Sequence, residues 1–98
     1  MIQEHEIVLY QVEDTNICVN VVFKDETFWM TQKAMAELFD VNVPAISKHL
    51  SNIFEEGELF KEATVSKMEI VQMEGNRKVK REPEFYNLDA IIAVGYRV

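Results

Sequence analysis

The sequence predicts an α+β fold: a winged helix-turn-helix with an N-terminal β-hairpin, a basic β-hairpin wing and a C-terminal core helix. Three observations lead there. Two β-branched, aromatic-bearing runs, "HEIVLYQV" and "NICVNVVF", flank the polar stretch "EDTN" near the start of the chain, which is the signature of paired strands. Apolar residues then recur at helical spacing in two short segments between Met30 and Leu59, joined by a tight turn. Two further extended runs around "GNR" follow. At 98 residues, 48% hydrophobic and 10% aromatic, the chain can bury a modest core without metal or disulfide support. It reads as one domain over residues 1–98, with no repeat or linker.

The second run alternates, with Ile17, Val19, Val21 and Phe23 on one face. The first is apolar on both faces, which predicts a covered strand. Cys18, the single cysteine, falls inside a strand, where a small buried thiol is expected, and it has no partner for an internal disulfide. A second polar turn, "KDET", leads to a short extended piece, "FWM", ending near Trp29. Thr31 is placed as the N-cap of a helix from about Gln32 to Phe39. Met35, Leu38 and Phe39 share one side of it, and small Ala36 beside them allows a second helix to approach.

The turn "DVN" puts Asp40 where a positive φ favours Gly, a conformation Asp tolerates better than most residues. Asn42 caps the next helix and Pro44 falls in its first turn, where a missing N–H costs nothing. A helix over about 43–55 then buries Val43, Ile46, Leu50 and Ile53. It turns Pro44, Ser47, Lys48 and Ser51 outward, with Ala45 and Asn52 at the flank. Gly57 can end it in the left-handed conformation.

After Gly57, "ATVSKMEIVQMEG" and "KVKREPEFYN" predict a hairpin of two strands. The last segment, "FYNLDAIIAVGYRV", begins with Asn87 as a cap and Asp89 in the first turn, and sets Leu88, Ile91 and Ile92 on one core face. Trp29, Phe39, Ile46, Leu50 and Ile92 are expected to share one core, with Phe28 and Phe54 also inside. The chain reaches Val98 on an apolar stretch without a polar tail, which suggests the N-terminal part of a longer protein.

A helix pair with a short turn and a small, polar outward face on its second helix suits the major groove of double-stranded DNA. The overall charge opposes this: 17 acidic side chains against 10 basic, net -7. The charge is uneven, however. Residues 1–76 carry 5 basic and 14 acidic side chains, and residues 77–98 carry 5 and 3. Arg77, Lys78, Lys80 and Arg81 cluster at the second hairpin, and the local field at a contact surface governs phosphate binding more than net charge does. The expected DNA-binding residues are therefore Asn42, Ser47, Lys48, Ser51 and Asn52 for the groove, and Arg77, Lys78, Lys80 and Arg81 for phosphates. A plainer reading stays open at each step. A packed helical hairpin has the same apolar spacing, and lysines also guard exposed strands against edge-to-edge pairing.

An enzyme finds little support. His5 and His49 with one cysteine assemble neither a zinc-ligand spacing nor a nucleophile–base set. Gly57, Gly75 and Gly95 are isolated and form no phosphate loop. Glu55, Glu56 and Glu58 read as a solvated charge run at a helix end. No cofactor, metal, small-molecule substrate or membrane partner is expected. No apolar run is long enough to span a bilayer and "MIQEHEIV" is unlike a signal peptide, so a cytoplasmic location is expected. The alternative to DNA binding is a protein-interaction or homodimerisation module on the same fold.

The strings "TFWMTQKAMAELFDVNVPAISKHLSNIFEEGEL", "VQMEGNRKVKREPEFYNLDAIIAVGYRV" and the opening "IVLY" resemble the N-terminal domain of RhuM-family proteins, a virulence-associated family. "NIFEEGEL" and "YNLDAIIAVGYRV" are the distinctive parts. The resemblance implies a winged helix-turn-helix related to the DNA-binding modules of phage antirepressor-like proteins. It also implies a bacterial or archaeal mobile-element or regulatory setting, and a longer protein with further domains, in some members of Fic/Doc type. It implies no catalytic activity and no operator sequence.

Overall fold

The computed structural model describes residues 6–11 and 18–98. In chain order these form β1 (Glu6–Gln11), β2 (Cys18–Lys24), β3 (Thr27–Met30), α1 (Gln32–Phe39), α2 (Val43–Glu55), α3 (Lys61–Thr64), β4 (Val65–Lys67), β5 (Ile70–Glu74), β6 (Arg77–Arg81), β7 (Glu84–Asn87) and α4 (Leu88–Arg97). The fold is mixed α+β. Five strands make one antiparallel sheet in the order β1-β2-β3-β7-β4, and β5 and β6 form a separate two-stranded sheet. β1 and β2 pair from Glu6↔Phe23 to Gln11↔Cys18. The "EDTN" turn expected between them, and Ile17, lie outside the described residues, as does the covering of β1's side chains. Asp25 and Glu26 turn the chain from β2 into β3 with φ of 54° and 61°, the pair of positive angles of a type I′ hairpin turn.

Local capping builds the helix pair. Thr31 Oγ1 accepts from the Ala34 N–H at 3.1 Å, and Asn42 Oδ1 accepts from the Ala45 N–H at 2.8 Å. Between them Asp40 takes the left-handed conformation at φ 56°, and the Val41 N–H donates to the Ala36 carbonyl at 3.0 Å. α2 ends in a Schellman motif. Gly57, at φ 76°, donates to the Phe54 carbonyl at 3.2 Å, and the Glu58 N–H donates to that of Ile53 at 3.0 Å.

The core is divided. On one face of the large sheet, Val19, Met30 and Tyr86 pack with Ala34, Met35 and Ala36 of α1, Ile46, Leu50 and Ile53 of α2, and Ala90, Ile91, Ala93 and Val94 of α4. A smaller cluster of Val22, Trp29, Met68 and Phe85 forms separately, with Ile70 packed against it. Strand alternation requires the split, because Val22 pairs with Trp29 and Met30 with Tyr86, so these two pairs point to opposite faces. Trp29 therefore does not share the core of Ile46 and Leu50.

Other expectations need correcting. Val43 and Leu88 are partly exposed rather than buried. Each is the first residue of its helix, with no preceding turn to bring it against the core. Phe28 is partly exposed as well, its ring tilted at 60° against that of Phe23, its cross-strand partner, at a 5.3 Å centroid distance. α4 turns Ile92 outward and lays Ala90 and Ala93 inward. The small residues let it approach α2, β3 and β7 closely, which decides the helix's rotation against the pull of the larger Ile92.

The two long strands expected after Gly57 are each broken. Ala63 and Thr64 close the single turn of α3, where the Thr64 hydroxyl donates to the Phe60 carbonyl at 2.7 Å. Beyond it β4 pairs with β7 in the large sheet, and β5 and β6 continue the same two chain segments into a separate ribbon. Pro83, which has no N–H to offer a ladder, stands at the break, and its carbonyl accepts from the Met68 N–H at 3.4 Å. Met68 leaves the strand direction there to fill the smaller cluster.

Candidate nucleic-acid interface

α2 buries Ile46, Leu50 and Ile53 and exposes Pro44, Ser47, Lys48 and Ser51, with Ala45, His49 and Asn52 half-buried between. Period and capping together produce this split, since the Asn42 cap sets where the helix begins and hence which side chains face out. Ser47, Lys48 and Ser51 thus lie on one free helical face, with Asn42 exposed at its N-terminal end. Asn42 has one oxygen already engaged by the Ala45 N–H, so its amide N–H groups are what it has to offer a ligand. Glu55, exposed one turn beyond Ser51, makes the far end of that face acidic.

The ribbon sorts the four expected basic residues. Gly75, at φ 67°, and Asn76 link β5 to β6, joining the pair Glu74↔Arg77. A positive φ at the first position alone is the type II′ arrangement, for which Gly is suited. Pairing then runs Met73↔Lys78, Val71↔Lys80 and Ile70↔Arg81. By alternation Arg77 and Arg81 share a face with Ile70 and Glu74, whereas Lys78 and Lys80 share the other with Val71 and Met73. All four basic residues are exposed, but they are not equivalent. Arg81 is held by Glu74 through two hydrogen bonds, Nε to Oε2 at 3.0 Å and Nη2 to Oε1 at 2.7 Å. The sequence reading missed the exposed Val71 and Met73, although the alternation of "IVQME" against "RKVKR" across a two-residue turn carries the signal.

Near the base of the ribbon, Thr31, Gln32, Lys33, Pro83, Glu84 and Tyr86 line a cleft of about 300 Å³. The Gln32 amide donates to the Tyr86 hydroxyl at 2.9 Å, and that hydroxyl donates to Glu84 Oε1 at 3.2 Å. Burial pushes the Tyr86 phenol above its ordinary range. The Gln32 hydrogen bond pulls the other way, and the Glu84 carboxylate adds to the rise. Among the described residues no group of three His, Cys, Asp or Glu side chains is placed to hold a metal ion, and no helix is long and apolar enough to cross a membrane.

A mixed α+β domain with a capped helix pair and a basic, two-faced ribbon is the class these observations define. Within it, residues 63–98 match the model of the Virulence protein RhuM family. The match bears out the resemblance over the stretch from β4 to α4, the ribbon included. No curated protein and no solved structure matches the chain.

Proposed function

We propose that this chain is a winged helix-turn-helix module of a transcriptional regulator that binds double-stranded DNA. α2 enters the major groove with Ser47, Lys48, Ser51 and Asn52 toward base edges, and Asn42 sits at its mouth. The β5–β6 ribbon acts as the wing, its basic residues on phosphates. The free face of α2 carries the reading: its side chains are short or polar, and the opposite side is wholly engaged by the core. The cluster Arg77–Arg81 supplies the positive field that the acidic body lacks.

Selection from random duplexes at low and moderate salt tests this. Neutral replacement of Arg77, Lys78, Lys80 and Arg81 together is expected to weaken binding to every duplex alike. It should also flatten the slope of log affinity against log salt by about 3, Arg81 contributing least because Glu74 already holds it. Ser51→Ala or Asn52→Ala is expected to change the preference between duplexes instead, by about 1–3 kcal/mol per lost contact, with the slope unaltered. If no duplex binds above background at the lower salt and the four-site variant behaves as the parent does, the proposal is wrong.

A second reading, homodimerisation, is favoured by one observation. Leu88, Ile92 and Tyr96, at successive four-residue steps of α4, are all exposed, Tyr96 at 87%. Sedimentation of the parent against Ile92→Glu decides it, a dimer that dissociates in the variant being the supporting result.

A further inference from the structure

We infer that the ribbon meets DNA with one particular face, that of Val71, Met73, Lys78 and Lys80, and that Val71 and Met73 press between bases and bend the duplex. The inference rests on the DNA-binding reading above and assigns the contact residues within it. Val71 and Met73 are 60% and 65% exposed, each directly across from a lysine. Apolar side chains in such positions contribute nothing to either core cluster. On the other face Ile70 packs against the Val22–Trp29–Met68–Phe85 cluster, and Glu74 and Arg81, both exposed, engage each other across the ribbon. Ile70 ties that side to the body at the base of the ribbon and Glu74 occupies Arg81 on it, so the lysine face is the one left to take a ligand.

Two apolar tips flanked by two cations, on a two-stranded ribbon, match a groove of duplex DNA in both shape and charge. A β-ribbon is narrow enough to enter a groove. Lys78 and Lys80, two positions apart on one strand, stand roughly 7 Å from each other and reach phosphates. The tips of Val71 and Met73 then meet the base edges, where apolar wedges unstack a step and kink the helix. An anionic bilayer offers the same mixture of chemistry, but a flat surface would also meet the body, where Glu37, Asp40, Glu55 and Glu62 are exposed. A groove admits the ribbon alone. Arg81 and Glu74 have a different part, tying the two strands of the ribbon to each other.

The full chain is tested on a selected duplex labelled at both ends, with resonance energy transfer reporting the bend and a salt titration reporting phosphate contacts. The parent is expected to bend the duplex by at least about 20°. Val71→Ser with Met73→Ser should return the end-to-end distance to that of free DNA while the salt slope is kept. Lys78→Gln with Lys80→Gln should flatten the slope by about 2, and Arg81→Gln should change neither readout. All these side chains are exposed, so circular dichroism and thermal midpoint serve as controls that the variants fold. A parent that binds without bending, a Val71/Met73 variant that bends as the parent does, or an Arg81 variant that flattens the slope as much as the lysine pair overturns the inference while DNA binding stands. A parent that binds no duplex overturns both. Lysine-dependent capture by phosphatidylserine vesicles without lysine-dependent duplex binding would assign the face to a membrane instead.

Discussion

Leu50 is 2% exposed and packs within the larger cluster beside Ile46 and Ile53, so truncation there removes buried surface and leaves a cavity. Leu50→Ala is expected to cost about 2–5 kcal/mol in urea unfolding; a loss below about 1 kcal/mol would mean that the faces of α2 are wrongly described. Tyr86 supports a second residue-scale prediction. Its phenol is raised above the ordinary value, chiefly by burial, so the folded state holds the proton more tightly than the unfolded chain, whose tyrosines ionise near about 10. The associated stability is therefore fully present below that ordinary value and is lost as pH rises through the higher folded one. The difference in phenolate absorbance between the parent and Tyr86→Phe should titrate later than a free tyrosine, and coincidence with the ordinary curve would contradict the buried hydroxyl. Residues whose partners lie one turn away were legible at this scale. The caps Thr31, Asn42 and Asn87 all accept the N–H three residues on, as expected.

Among the elements, the β2–β3 turn stores strain. Asp25 and Glu26 both hold positive φ, which costs a non-glycine residue roughly 1–2 kcal/mol. Glu26→Gly relieves that cost and gives back part of it as unfolded-chain entropy, for a net gain of about 0.5–1 kcal/mol. Thermal unfolding of the variant measures it, and an unchanged or lower midpoint would argue against a type I′ turn. The two helix ends at Asp40 and Gly57 are the counterpart where the sequence itself predicts the left-handed residue, because a helix stop has a local signature. The interrupted ribbon had no such signature. "KVKREPEFYN" has strand composition throughout, and the break at Pro83 depends on Met68 finding the cluster of Val22, Trp29 and Phe85.

For the whole molecule, stability is expected to be uneven, since the helices and the large sheet hold both clusters, whereas among the described side chains of the ribbon Ile70 is the one packed against either. Amide exchange should reflect this. Ile46, Ile53 and Val94, all fully buried, should exchange only through global opening, and amides of residues 71–80 through local opening at much lower free energy. Equal protection in both regions would show that the ribbon packs on the body. The end of α4 is tied differently, by Arg97 to Glu56 at 2.8 Å and Glu58 at 2.9 Å. That is where the acidic run after α2, expected to be merely solvated, has a partner.

The sequence by itself determined what depends on neighbours within a turn or a pleat: the helix pair and its caps, the positive φ at Asp40 and Gly57, the outward face of α2 and the alternation of the ribbon. Those follow from the 3.6- and 2-residue periods and from hydrogen bonds a few residues long. Only the tertiary structure decided that β3 pairs with β7, that Trp29 belongs to a second cluster on the far side of the sheet, that α4 turns Ile92 outward, and that Arg81 is held by Glu74 while Lys78 and Lys80 are left with Val71 and Met73. These outcomes rest on contacts between residues far apart in the chain. There, close packing of small side chains and the pairing of distant strands outweigh the preference of any one segment.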